Sequence, residues 1–156
     1  MVKYDIVEIM IIGEYKSKVG EKKRVSLPTK FREEIGEDLI LTRGYEEALI
    51  LVNKKMWKNV AKDVINGSFT NKNIRDTSRF LVGSAKEIEM DGQGRFVIPQ
   101  ALFDHAGLGD EIVFIGLVNW IEIWDAKKWK ERVEYLQKHG DEIAQEISKM
   151  SEQKNG

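Results

Sequence analysis

A ten-residue pattern occurs twice in this chain. Val19-Gly20-Glu21-Lys22-Lys23-Arg24-Val25-Ser26-Leu27-Pro28 is matched in kind by Met90-Asp91-Gly92-Gln93-Gly94-Arg95-Phe96-Val97-Ile98-Pro99, with both arginines and both prolines 71 positions apart (24 to 95, 28 to 99). Each copy reads as an extended stretch, a polar turn carrying an arginine, a β-type stretch, a proline and a brief helix closed by glycine (Gly36, Gly107). A unit this small cannot bury a core alone, so the pattern predicts a duplication whose copies share one. Two arginines on equivalent turns predict two related contact points.

The flanking sequence repeats the same order. Leu39–Thr42 and Ala48–Val52 read as strands around an Arg43-Gly44 turn, and Asn53 is placed to cap a helix with Met56, Trp57, Val60, Ala61 and Val64 on its apolar stripe. In the second copy Ile112–Ile115 and Trp120–Trp124 are the strands, and Asp125 is placed to cap a helix bearing Trp129, Val133 and Leu136. The turn-rich Asn66–Asn73 is the expected connection between halves. After Gly140, Ile143, Ile147 and Met150 return to helical spacing, predicting a C-terminal helix with a mobile end. The segment Ile6–Ile12 is apolar but short and interrupted by Glu8, which reads as a buried strand rather than a signal peptide or membrane span.

Composition narrows the chemistry. With 156 residues and 42% hydrophobic content the chain can build one body, and with no cysteine it has no disulfide, thiolate zinc site or thiol nucleophile, as an intracellular protein would allow. His105 and His139 have no second histidine at ligand spacing, so no metal or other cofactor is expected. Gly92 and Gly94 suit a tight turn, and no lysine and serine follow them as a phosphate-binding loop requires. Net charge is −1, which excludes a general polycation. Its distribution is uneven: residues 13–32 carry seven lysines and arginines against two acids, whereas residues 84–103 carry two against three.

These residues resemble the MraZ family of bacterial transcriptional regulators, whose halves are each similar to the SpoVT-AbrB swapped-hairpin domain. The resemblance rests on Arg79-Phe80, Asp91-Gly92-Gln93-Gly94-Arg95 with Ile98-Pro99, Ala106-Gly107-Leu108 and Ile121-Glu122-Ile123-Trp124-Asp125 in the second half. Arg24–Pro28, Phe31-Arg32, Leu41-Thr42-Arg43-Gly44 and Trp57 carry it in the first. It implies an α+β, strand-rich fold with halves at 12–65 and 80–133, a linker at 66–79 and a helical tail at 134–156. The halves would form an intrachain pseudo-dimeric barrel. It also implies a cytoplasmic, nucleoid-associated homo-oligomeric ring, octamer-like, that binds short direct repeats in promoter DNA and represses the division and cell-wall gene cluster. Members commonly carry Asp-x-x-x-Arg in each half; here Gly20 replaces the first aspartate and Lys23 the first turn glycine.

Arginine reads guanine in the major groove with two prongs, and lysines neutralise phosphates. Arg24 is therefore the expected base reader, with Lys16, Lys18, Lys22, Lys23, Lys30 and Arg32 as expected phosphate contacts. Lys23 would be strained if its turn needs a positive φ. Asp91 lies four residues from Arg95, so that pair is expected to tie down its own turn, with DNA contact secondary. The four tryptophans fit core or subunit contacts better than base stacking, with Trp120 and Trp124 on one strand face and Ile121 and Ile123 on the other. Two rivals remain at this level: a ring-forming scaffold that does not read DNA, and an enzyme using Asp91 with Glu87 or Glu89.

Overall fold

A computed structural model describes residues 9–155. The chain divides into a body ending at Asp125 and a single following helix. Within the body the elements run β1 (Ile11–Lys18), β2 (Arg24–Ser26), α1 (Thr29–Ile35), β3 (Leu39–Arg43), β4 (Leu49–Asn53) and α2 (Lys54–Ile65). They continue as α3 (Lys72–Leu81), β5 (Lys86–Ile88), β6 (Arg95–Val97), α4 (Gln100–His105), β7 (Glu111–Val118) and β8 (Ile121–Asp125).

The strands exchange partners between the halves. In a six-stranded antiparallel sheet of order β1-β7-β8-β4-β3-β5, β1 of the first half pairs with β7 of the second, and β5 pairs reciprocally with β3. At its centre β4 and β8 pair Leu49↔Ile123, Ile50↔Glu122 and Leu51↔Ile121. A separate ribbon joins β2 to β6 with Arg24↔Val97, Val25↔Phe96 and Ser26↔Arg95. Because Val25 and Phe96 are equivalent positions of the duplication (25 to 96), a local two-fold axis passes between them. This is the interleaving that the swapped-hairpin resemblance implies, in the α+β, strand-rich architecture expected. The described strands do not close into a continuous barrel, since β1 and β5 end the large sheet as edges and the ribbon stands apart from it.

Interleaving follows from strand periodicity. Leu49 and Leu51 point to one face of β4 and enter a core with Val25, Phe31, Phe96 and Phe114, drawn from both halves. Tyr15 meets Phe31 edge-on at 4.9 Å between ring centroids. Each fully buried aliphatic or aromatic side chain contributes about 1.5–3 kcal/mol relative to exposure. On the other face Ile40, Val52 and Met56 form a smaller cluster, with Trp57 and Val60 of α2 packed against it. The cap expected at Asn53 is formed, its Oδ1 accepting from the Met56 amide at 2.8 Å. Gly36 and Gly107 end the short helices with φ of +83° and +57°, which side-chain-bearing residues rarely adopt.

Several local expectations are modified. Residues 6–8 of the expected N-terminal strand lie outside the described residues; β1 begins at Ile11, which is buried, while Met10 and Ile12 are half-exposed. Much of the 66–79 stretch is helical, because Asn71 accepts from the Asn73 and Ile74 amides and starts α3. The second unit, α5 (Ala126–Asn155), runs unbroken through Gly140. A glycine inside a helix costs about 1 kcal/mol relative to alanine, too little to end a 30-residue helix. Leu136, Ile147 and Met150 are exposed along α5. No helix among the described residues is long and apolar enough to cross a membrane.

Candidate nucleic-acid interface

The two repeated turns have diverged in conformation. In the second half the Gly94 amide donates to the Asp91 carbonyl (3.0 Å) and Gly94 takes φ +77°. Asp91 Oδ1 accepts from the Gln93 and Arg95 amides (2.9 and 3.0 Å), and its Oδ2 accepts from Arg95 Nε at 2.7 Å. The first half keeps the closing bond, from the Gly20 amide to the Arg24 carbonyl (2.8 Å), as Asp91 and Arg95 do at 2.9 Å. Gly20 has no carboxylate to organise what lies between. Instead Lys22 and Lys23 both adopt left-handed backbone, at φ 58° and 60°. For residues other than glycine this costs roughly 1–2 kcal/mol each.

Both arginines emerge on one surface. Val25 and Phe96 turn into the core, so the opposite face of the ribbon carries Arg24, Ser26, Arg95 and Val97. The ladder sets Arg24 and Arg95 on a diagonal, and such neighbours stand about 7–8 Å apart. The duplication thus yields one shared surface, where equivalent turns had suggested two points. The arginines differ in freedom. Arg95 is bound to Asp91, while the Arg24 side chain is exposed and has no hydrogen-bond or ion-pair partner among the described residues.

Lys16 and Lys18 share the outward face of β1 with Glu14, and Lys22 and Lys30 are also exposed. Lys23 and Arg32 are half-buried. Lys23 Nζ lies 5.6 Å from the centroid of the Phe103 ring. Arg32 lies against Gly94 so closely that a Cβ there would stand 2.7 Å from its Cδ and 2.9 Å from its Cζ. These two contacts are counterparts under the 71-residue repeat (23 to 94, 32 to 103). In one a large basic side chain of a helix covers a turn glycine; in the other a turn lysine covers a helix phenylalanine. The sequence carried this exchange as the pairs Lys23/Phe103 and Gly94/Arg32, readable only once the halves are known to interleave. Glu87 and Glu89 occupy the places of Lys16 and Lys18 (16 to 87, 18 to 89), and Glu87 pairs with Lys54 at 3.0 Å. The field around the ribbon is therefore basic on the β1 side and acidic on the β5 side.

The Asp91 carboxyl is held at a pKa of about 2, below its ordinary 3.8. The main cause is the Arg95 amide; desolvation opposes it, and the Arg95 side chain and the Gln93 amide each add a smaller lowering. A lowered pKa means that the ionised carboxylate stabilises the turn above about pH 4, and that this contribution is lost as pH falls through about 2. Carboxyl-detected NMR should show Asp91 titrating near 2. In Arg95→Ala the main-chain amide remains, so the midpoint should rise only part of the way; a return to 3.8 would make the guanidinium dominant.

His105 Nε2 lies 3.3 Å from the Gly44 carbonyl oxygen, and His139 beside Glu142 and Tyr135. No group of three or more potential metal ligands occurs among the described residues. Ile121, Ile123 and Trp124 are buried, and Trp57, Trp120 and Trp129 are half-buried.

Residues 10–80 and 81–150 each match the family described as "MraZ protein, putative antitoxin-like". A protein of Caldanaerobacter subterraneus named transcriptional regulator MraZ is 36% identical over 138 residues, covering 88% of this chain and 96% of that one. Proteins of the same name from Acetivibrio thermocellus and Clostridium tetani are 40% and 38% identical, covering 78% and 90% of this chain and 85% and 99% of theirs.

Proposed function

The chain belongs to the MraZ family, and on that premise we propose that it is a non-enzymatic, sequence-specific DNA-binding transcriptional regulator whose β2–β6 ribbon faces promoter DNA. The observation that carries this reading is the convergence of Arg24 and Arg95 on one outward face, flanked by the exposed lysines of β1. A two-stranded ribbon fits the major groove, where arginine can distinguish guanine. In this reading Arg24 reads a base and Lys16, Lys18, Lys22 and Lys30 neutralise phosphates. Lys23 and Arg32 act mainly across the seam between halves, with their charge adding to the field. Arg95, tied by Asp91, holds its turn and makes a secondary contact.

One ribbon of three residues per strand offers few contacts. Several copies on one assembly raise the effective concentration at repeated sites, which favours a homo-oligomeric ring on short direct repeats. The exposed apolar stripe of α5 supports self-association. Repression of the division and cell-wall gene cluster from the nucleoid completes the proposal.

Footprinting on the protein's own upstream promoter, paired with native mass of the complex, tests it. Protection of regularly spaced direct repeats by an assembly of defined stoichiometry is expected. Affinity no better than for random duplex at every salt concentration would favour the scaffold reading instead.

A further inference from the structure

A cavity of about 400 Å³ opens on the sheet face opposite the main core, and nothing in the DNA reading uses it. Tyr45, Trp57 and Trp120 supply aromatic walls, Ile50 an apolar floor, and Glu46 and Glu122 two carboxylates. Its volume lies in the range of small-molecule sites, as does its mixture of apolar surface with a few charged groups.

The walls are held in place. Tyr45 stacks on Phe80 with ring centroids 5.3 Å apart, and Glu122 Oε1 accepts from Trp124 Nε1 at 2.9 Å. Two strained turns deliver lining residues to the cavity. Glu46 has φ 56° and is followed by Glu47 at 68°, in a turn closed by the Ala48 amide on the Tyr45 carbonyl (3.2 Å). On the other side Val118 has φ 71°, a conformation that a β-branched residue adopts rarely, and Leu117 and Trp120 bond across it (2.9 Å). Between them the Asn119 Oδ1 is buried with no partner among the described residues. Tight turns favour asparagine and glycine at positive φ, so glutamate and valine there are conformations retained at a cost.

We propose that this cavity is a binding site for a small organic cation with an apolar body, its charge set against Glu46 and its body against Trp57, Trp120 and Tyr45. Charge complementarity beside a half-open aromatic wall favours such a ligand. Tryptophan and tyrosine faces attract cations, and the Glu46 carboxylate beside them repels an anion and gives a neutral body of the same shape no such attraction.

Phenyltrimethylammonium titrated into the full chain, followed by tryptophan fluorescence, tests this class of ligand. A saturable change is expected, with tert-butylbenzene, its uncharged isostere, binding at least tenfold more weakly. Glu46→Gln should weaken the ammonium at least threefold and leave the isostere unchanged, and Trp57→Phe should remove much of the signal. Equal binding of the two compounds would overturn the assignment of a cation. An absent response in both would overturn the site. So would a response accompanied by dissociation of an oligomer in native mass spectrometry, since a second copy would then be the occupant. None of these outcomes bears on promoter binding, so failure here and failure of the DNA reading are separable.

Discussion

Arg24→Ala is expected to weaken binding to the specific promoter site by about 1–3 kcal/mol, roughly 5- to 150-fold, and to relax discrimination at one base position. Where Asp91 holds Arg95 at 2.7 Å, the first half has Gly20 in the equivalent place, and Arg24 keeps its donors free of any partner among the described residues. A bidentate contact to guanine O6 and N7, as proposed for Arg24, would use that freedom. Arg95→Ala should cost less, because its loss is mainly felt within its own turn. Lys22→Ala should behave differently in kind, weakening all sequences alike and reducing the salt slope by about 1. Mobility-shift titrations against single-base operator variants at several salt concentrations separate the three. If Arg24→Ala left both affinity and preference unchanged, the assignment of base reading would be wrong.

Phe96→Ala is expected to destabilise the body by about 3–5 kcal/mol, a large share of the 5–15 kcal/mol typical of a domain. Phe96 is 2% exposed and pairs with Val25 on the local two-fold axis, so the cavity left behind opens on both halves at once. A single cooperative transition in urea should persist at a lower midpoint. The same interleaving predicts that residues 12–65 or 80–133 produced alone do not fold as monomers, because β1 needs β7 and β5 needs β3. Two separate transitions, or a folded monomeric half, would contradict a shared core.

Much of this architecture is legible in the residues because the duplication repeats its punctuation. Pro28 and Pro99 mark helix starts, Gly36 and Gly107 their ends, and Asn53 a cap that the structure forms. What the residues could not reveal was the spatial outcome of the repeat. Periodicity places Val25 and Phe96 inward separately, but only a ladder between β2 and β6 brings Arg24 and Arg95 onto one face. Lys23 and Arg32 have the composition of phosphate contacts, yet each is drawn to the opposite half by a partner some 60–80 positions away (23 to 103, 32 to 94). Helix continuity through Gly140 was hidden for a simpler reason. Glycine lowers helix stability everywhere but stops a helix only where the chain turns left-handed, as at Gly36.

The ribbon on the local two-fold axis also has a grammar. In a true dimer of identical chains both strands would offer the same side chains, and a sequence read by them would be spelled alike in either direction. Here one cross-strand pair is Arg24 with Val97 and the other is Ser26 with Arg95. In the proposed role, such a ribbon would distinguish left from right. An element matched to it would have an orientation of its own, and copies of that element lined up head to tail, as words in a sentence, would all be read the same way.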